Sequence, residues 1–596
     1  MPRSASTFWL WLCAKPRRAA LLLGLCGFAF ALPGIGDLDG LGHTDEHFYL
    51  SIAADTYDTG HLAPTHDGAY VFQKPPLVFW LARLCMAVLG RNGAAARLPG
   101  AIAAGLLIAA GVLFTAEVAS TSLAPLAGAY LVGSLALARF DRELMLDLPL
   151  SACLGFALWA AARAVRWDPF PVSPGDSGVP SSSGVPSSSG VPAGVPGSSG
   201  LRAGVPGLPG SSGVPAGVPG SSGLRAGVPD SPPVPAFTLL AGFLSALILG
   251  IKGPIGVAVL AAAALWALTF ERSWRLLRSP RFWLGVALGL CLSAPWYVWA
   301  IATHPHQFFA FHIEEQYFSR FETTHGQSSW NLLWGTLLYA APFWPFALCG
   351  LLVPRFGGRW PWVAGWLISF YGIFLLPKEH GLHYPLLVLI PIATLAATAS
   401  PPRWLRLVVS AAILAGAVIL AATLAFPEIP RLAAIASAAL AVAGAAGFAM
   451  RSRSRQALGA VLVGAAANLA VATLGPAFGR PLLSPEAAEL GRHQPVALFW
   501  EHPGPYRLSA GWGPDAKEVW GEWALGDAMD RGELIFAPDH ALRGAPPALV
   551  ARLTPVVAWR RTRPYLSLDD VWQAWRAHDL DALGERCALY RAKPKP

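Results

Sequence analysis

Charged side chains make up only 13% of this 596-residue chain, while 54% of its residues are hydrophobic. A water-soluble domain carries about 25% charge, so an ordinary soluble fold is excluded. Cysteine is sparse as well. Its seven copies, Cys13, Cys26, Cys85, Cys153, Cys291, Cys349 and Cys587, form no CxxC pair, and only Cys587 lies clearly outside the hydrophobic region. That argues against a disulfide framework and against a cysteine zinc site. A cleavage site is missing too: Lys15, Arg17 and Arg18 precede an apolar stretch at about 19–33, but Ile-Gly-Asp-Leu-Asp follows it. The stretch reads as an uncleaved first helix. Residues 171–235 are rich in Gly, Pro, Ser and Val but lack glycine at every third position, which excludes a collagen-like segment. Much of the positive excess, a net charge of +9, lies in short loops between apolar runs. It reads as topology information rather than as a surface for nucleic acid.

What the chain does have is apolar runs that approach the roughly 20 residues needed to span a bilayer. They fall near 19–33, 77–90, 97–117, 122–139, 149–165, 236–250, 254–270, 281–301, 331–353, 361–377, 383–399, 405–426, 430–450 and 456–474. The 24 Trp suit membrane–water interfaces. The run at 77–90 is only 14 residues long and contains Arg83, which suits a helix lying in the interface. With Lys15, Arg17 and Arg18 cytoplasmic and 77–90 not crossing, the later cytoplasmic loops are 163–235, 271–281, 354–360, 401–406 and 451–455, and each carries arginine. If 77–90 crossed, all of these loops would move outside, against the positive-inside rule. Thirteen runs then cross, and the loops at 34–76, 140–148, 251–253, 302–330 and 378–382 share the extracytoplasmic face with the tail from about 475.

The expected fold is therefore an α-helical polytopic membrane protein with about 13 transmembrane helices, interfacial helices and a small C-terminal extracytoplasmic α/β domain. Residues 1–170 form the N-terminal membrane half with the first extracytoplasmic loop. Residues 171–235, in which Gly-Ser-Ser-Gly-Leu-Arg-Ala-Gly-Val-Pro occurs twice, are expected to be a disordered cytoplasmic loop. Residues 236–474 hold the remaining transmembrane helices, and 475–596 the α/β domain. Within that domain 495–500, 533–537 and 555–559 read as strands, and 569–575 as a helix capped by Ser567. Glu501, His502 and Asp515 read as ordinary polar surface.

An ionisable group held near a membrane is costly, so those on the extracytoplasmic side are candidates for function. Asp45 and Glu46 open an amphipathic stretch at 48–57. Asp45 is either a carboxylate that orients or deprotonates an acceptor or a helix N-cap. Lys74, fixed by Pro75 and Pro76, is either a snorkelling anchor or the counter-charge of a lipid phosphate. Arg139, Asp141, Arg142, Glu143 and Asp147 make a salt-bridged loop or part of a site, with Asp147 at the membrane edge. Lys252 lies between Gly250 and Gly253, on the same face as Lys378, His380, His383 and Tyr384. His304, His306, His312, Glu314, Glu315, Arg320 and His325 follow no recognised metal-ligand spacing.

In order and spacing these pieces resemble the GT-C membrane glycosyltransferases of the protein O-mannosyltransferase superfamily, and within it the bacterial aminoarabinose transferases of lipid A. The matching stretches are Asp45 and Glu46 with Tyr49, Gly60 and Pro64; Lys-Pro-Pro-Leu at 74–77 with Trp80; and Ala-Arg-Leu-Pro at 96–99. They continue with Leu146, Asp147, Pro149 and Leu150; Lys-Gly-Pro at 252–254; Pro-Trp-Tyr at 295–297; Arg320 and Phe321; and Tyr384 and Pro385, together covering about 45–390. The resemblance implies a multi-pass protein of the bacterial inner membrane and a polyprenyl-phosphate sugar donor. Transfer would invert the anomeric carbon on the extracytoplasmic face, to a lipid such as lipid A or, alternatively, to a secreted protein. It matches Asp45 and Asp147 to the family's catalytic carboxylates and Lys74 to its donor-phosphate lysine; with these we expect Glu46 as a further catalytic residue, Arg320 and Lys378 at the phosphate, and Tyr49, Arg142, Lys252 and Tyr384 in contact with substrate. Gln73 stands where relatives often carry an acidic residue, and Glu315-Gln316 where they carry Glu-His. Both departures remove metal ligands, so a divalent metal is less expected here than in relatives, and no metal residue or cofactor is assigned. The repeat at 171–235 is outside the family pattern. A transporter is the rival of another class, but its polar residues would gather at the midplane of broken helices rather than in loops on one face.

Overall fold

The computed structural model describes residues 3–38, 44–166, 234–271, 273–322, 330–352, 359–378, 380–426, 429–478, 481–562, 573–574, 576–577 and 579–594. The low-complexity segment up to residue 233, His325, Ser567 and all but two residues of the helix expected at 569–575 lie outside the described residues.

Each apolar run expected to cross is helical. Seven of these helices are long and apolar enough to span a bilayer: Gly93–Val118, Asp147–Val165, Pro235–Lys252, Pro280–Thr303, Arg403–Ala422, Arg431–Ala449 and Arg453–Thr473. An eighth is a pair, Trp330–Tyr339 and Trp344–Leu351, bent by 106°. Pro342 lies in that bend, where it cannot donate to the helix ladder. The remaining runs give shorter or broken helices: Pro16–Ala31, Ala124–Val132 followed by Leu135–Phe140, Pro254–Phe270, Trp360–Phe374 and Tyr384–Thr398. The run at 77–90 forms the 13-residue helix Leu77–Leu89. Two elements differ from expectation. A helix, Arg3–Ala14, precedes the first run, and the stretch expected as a loop at 302–330 is helical from Pro305 to Glu322, with Phe309–Phe318 wound as a π-helix.

Lipid tails give no hydrophobic drive for helix association, so membrane helices pack where small residues let backbones approach. A Cβ on Gly285 of Pro280–Thr303 would lie 2.1 Å from the Leu239 carbonyl oxygen of the neighbouring helix, so only glycine fits. The window of Gly93–Val118 is 78% buried and that of Arg403–Ala422 only 17%, which puts the first at the centre of the bundle and the second at its rim.

The two ends of the bundle are chemically sorted. At one end Glu117 meets Arg163 at 3.0 Å and Arg359 at 3.1 Å, and Arg359 reaches Glu271 at 3.6 Å. Those arginines belong to loops that the charge pattern assigns to the cytoplasm. The opposite ends of two of these helices carry Arg97 and Asp147, and Lys252 ends the helix Val234–Lys252.

That end also receives the tail. Val496–Phe499 (β3), Ala516–Val519 (β4), Leu534–Pro538 (β5), Leu553–Thr562 (β6) and Gly584–Ala592 (β7) form a sheet of order β4-β3-β5-β7-β6, numbered after a small hairpin of Thr65–His66 (β1) and Ala69–Tyr70 (β2). Strands β3, β4 and β5 run parallel, and β7 is antiparallel to both its neighbours. Arg507, fully buried, ties this domain to the first loop: its guanidinium donates to Asp55 at 3.2 Å and to Asp67 at 2.6 Å. Ser51 Oγ accepts the Gly504 amide at 2.7 Å.

Candidate active site

The helix Thr44–Thr59 begins with Asp45 and Glu46 in its first turn, where the exposed amides favour carboxylates. Asp147 opens its own helix, and Lys252 closes the helix Val234–Lys252, each at the end whose dipole suits its charge. Gly253 follows with φ +78°, and a Cβ there would lie 2.7 Å from the Tyr317 hydroxyl. Glycine therefore lets the chain turn tightly past Tyr317 and leaves Lys252 at the surface of the site.

These helix ends meet at His383. Its Nε2 lies 3.8 Å from Asp45 Oδ2 and 3.7 Å from Asp147 Oδ2. Lys252 Nζ donates to Asp147 Oδ1 at 2.5 Å and sits 5.2 Å from the Tyr384 ring centroid. Arg320 donates to the Tyr384 hydroxyl, and its backbone carbonyl accepts the Lys378 amide at 2.8 Å. Lys74 Nζ donates to Gln316 Oε1 at 2.6 Å. Burial, reinforced by the positive charges of Arg320 and Lys252, pushes Lys74 down to about 8, while Asp45 and Asp147 oppose the shift. Tyr49 is buried among the same charges; desolvation first, then Asp45 and Asp147, raises its phenol well above the ordinary value. Asp45 keeps 44% of its side chain exposed, whereas Asp147 keeps 1%. Asp147 Oδ2 has no hydrogen-bond partner among the described residues.

The structure thus gathers Asp45, Asp147, Lys74, Arg320, Tyr49, Lys252 and Tyr384. Three expected residues stand apart. Glu46 is corrected from a catalytic to a structural position: fully buried, it binds Arg97 through both oxygens at 2.6 and 2.8 Å and accepts the Leu144 amide at 3.0 Å. Arg142 is corrected likewise. Its guanidinium is spent on Asp141 and on the carbonyls of Phe30, Pro33 and Asn468. Lys378 joins the cluster through its amide, with its side chain exposed. In the charged loop, Arg139 pairs with Glu143 and Arg142 with Asp141, which leaves Asp147 as the loop's contribution to the site.

Two members had no role assigned from sequence, His383 being named only among the groups on the extracytoplasmic face. His383, which bridges the carboxylates, directly precedes the matched Tyr384-Pro385 pair, and that adjacency was the available signal. Gln316 was read as a lost metal ligand, but it holds Lys74. The π-helix that carries it is a winding often found at functional sites. A cavity of about 370 Å³ has Phe48, Phe72, Phe311, Gln73, His66 and His304 in its walls; Phe48 shares the helix of Asp45 and Tyr49, and Gln73 directly precedes Lys74.

Fold and site together define a polytopic membrane protein with carboxylates and cations converging at one end of its helix bundle. Residues 73–170 match the family model described as dolichyl-phosphate-mannose-protein mannosyltransferase. Over 106 residues the chain is 34% identical to the undecaprenyl phosphate-alpha-4-amino-4-deoxy-L-arabinose arabinosyl transferase of Pseudomonas savastanoi pv. phaseolicola, a stretch covering 18% of this chain and 20% of that protein. The chain thus matches a fifth of the length of that curated relative. Its fold extends the likeness: ArnT from Cupriavidus metallidurans bound to undecaprenyl phosphate superposes with a TM-score of 0.61 at 16% identity, covering 96% of this chain and 99% of that one. The apo form of the same protein gives the same score, covering 99% and 100%. The resemblance to GT-C glycosyltransferases of the protein O-mannosyltransferase superfamily holds, and the chain has the ArnT fold.

Proposed function

We propose that this chain is a membrane glycosyltransferase that transfers a sugar from a polyprenyl-phosphate donor to a lipid acceptor at the extracytoplasmic face of a bacterial inner membrane. The observation that carries the reading is the convergence of Asp45 and Asp147 on His383, flanked by Lys252, Lys74 and Arg320. Breaking the bond between C1 and the phosphate oxygen leaves charge on the phosphate, and preorganised cations stabilise developing charge strongly in a dry site. Lys74 and Arg320 face that phosphate. Asp147, held by Lys252 and with Oδ2 making no hydrogen bond among the described residues, accepts from a sugar hydroxyl. The half-exposed Asp45 faces the acceptor, takes the proton of an acceptor hydroxyl as the new C1–O bond forms, and inverts the anomeric centre. An acceptor phosphate would bring no proton, and Asp45 would then orient it.

The curated relative is named for an undecaprenyl phosphate-linked sugar, and the ArnT structure is described as bound to undecaprenyl phosphate; both support the donor class. The aromatic-walled cavity supports a lipid-like acceptor. The charge pattern, with a cytoplasmic N-terminus and 13 expected crossings, supports an extracytoplasmic sheet domain and cluster, and their meeting at one end of the bundle agrees with it. The test is purified protein in lipid with a panel of polyprenyl-phosphate sugars, offered membrane lipid and secreted protein as acceptors. Label in the lipid fraction is expected. Label in protein alone would reassign the acceptor, and lipid moved across the bilayer without sugar transfer would make the chain a transporter.

A pH dependence follows from Lys74. Its charged form, which meets the phosphate, predominates below about 8 and is lost as pH rises through that value. The donor KM is therefore expected to climb above that pH and kcat to fall with it, because the same charge stabilises the leaving phosphate, and Lys74→Arg, which keeps its charge, is expected to flatten both. A donor KM level on both sides of that value would remove Lys74 from phosphate binding.

A further inference from the structure

On the tail side of the first loop, three side chains from distant parts of the chain converge. Asp67 at φ 52° and Gly68 at φ 79° make the tight turn between β1 and β2, in which an Asp-Gly pair tolerates two left-handed residues. Asp67 uses both carboxylate oxygens to fix that turn against the tail, one on Arg507 at 2.6 Å and the other on the Glu518 amide of β4 at 2.7 Å. The turn brings His66 Nε2 to 3.1 Å from Glu518 Oε2, and the loop after β3 brings His502 Nδ1 to 2.9 Å from the same oxygen. All three ligand atoms lie within 4.8 Å of one another. The side chains are 16%, 19% and 6% exposed for His66, His502 and Glu518. His66 Nε2 is buried without a hydrogen-bond partner among the described residues, although the carboxylate oxygen is close. Phe48 lies 5.4 Å from both imidazole rings and supplies an apolar wall.

We propose that His66, His502 and Glu518 bind a divalent transition metal of the zinc class, which clamps the terminal domain onto the first loop. Two imidazoles and one carboxylate are the donors such ions prefer, whereas magnesium and calcium take oxygen alone. Tetrahedral zinc needs ligand atoms about 3.4 Å apart, so the two contacts to Glu518, at 3.1 and 2.9 Å, open slightly, and the two histidine nitrogens, within 4.8 Å of each other, settle toward the same spacing to admit it. Three protein ligands leave a fourth position for water. The clamp lies outside the carboxylate cluster and uses none of its residues, and His66 also lines the aromatic-walled cavity. The proposal stands whether or not sugar transfer is the activity.

The test uses the full-length chain, purified in detergent without a polyhistidine tag, stripped with chelator, and titrated with zinc and then with cobalt(II). One tight equivalent of zinc per chain is expected, with the visible absorption of tetrahedral cobalt and a rise in Tm on zinc addition. His66→Ala/His502→Ala is expected to lose the equivalent and the Tm response. Glu518→Gln is expected to weaken binding at least tenfold, the scale on which even outer partners of a metal act. His493→Ala, which removes an exposed histidine–glutamate pair elsewhere in the tail, is expected to keep it. Should the double variant fail to fold, Glu518→Gln and the single His66→Gln decide the matter. A folded native chain that takes up no zinc, or equal zinc affinity in native chain and Glu518→Gln, overturns the proposal.

Discussion

Asp45→Asn is expected to lower sugar transfer to a hydroxyl acceptor by about 10²–10⁴-fold, the usual contribution of a positioned general base. Asparagine preserves the shape of the side chain in the first turn of the helix Thr44–Thr59, so the variant is expected to fold and to keep its elution volume and melting profile. The carboxylate is nearly half exposed and lies 3.8 Å from His383 Nε2. The loss should fall on kcat, with donor KM nearly unchanged, since the proposal gives the phosphate to Lys74 and Arg320. A smaller loss is expected with a phosphate acceptor, which has no proton to give up. Steady-state kinetics on the two acceptor types separate the roles, and full turnover with a hydroxyl acceptor would refute Asp45 as the base.

Glu46→Gln has the opposite signature. Next to Asp45 in sequence, it is a buried charge whose oxygens are committed to Arg97 and the Leu144 amide. Removing one partner of a buried ion pair leaves the other unpaired and costs about 3–5 kcal/mol. Arg97 also donates to the carbonyls of Asp37 and Ile35, so the pair knots the entry to the helix Thr44–Thr59, the central helix and the turn leading to Asp147. The variant is expected to melt earlier and to lose activity through misplacement of both carboxylates. Replacing both members, Glu46→Leu with Arg97→Met, is expected to recover part of the stability but not the activity. Thermal unfolding of the single and double variants checks this; a single variant as stable as the native chain would contradict the structural role of the pair.

These neighbours show where the sequence was legible and where it was not. That acidic residues open the stretch at 45–46 could be read directly, because scarce charge beside apolar runs is conspicuous. Which of the two reaches the site could not, because that depends on Arg97, 51 residues away. The apolar runs located the membrane helices because hydropathy is local, but not where they bend or wind as a π-helix. The segment Arg3–Ala14 was passed over because its apolar run is too short to span and ends before Pro16. In the tail, the strands read at 495–500, 533–537 and 555–559 coincide with β3, β5 and part of β6. Strands β4 and β7 were missed, the first being four residues of mixed character, Ala-Lys-Glu-Val. The Asp-Gly turn at 67–68 carried a local hairpin signal, but its engagement with Arg507, 440 residues on, left no trace in spacing. His502 read as surface for the same reason: its partners come from the fold rather than from its neighbours in sequence.

The most direct test of the account is a single-turnover reaction of purified protein in nanodiscs with a polyprenyl-phosphate sugar labelled in the sugar, following the released polyprenyl phosphate and the labelled lipid together. The account predicts that the two appear in equal amounts and at the same rate, and that both are lost in Asp45→Asn. Labelled donor recovered intact on the opposite leaflet, with no polyprenyl phosphate released, would contradict it.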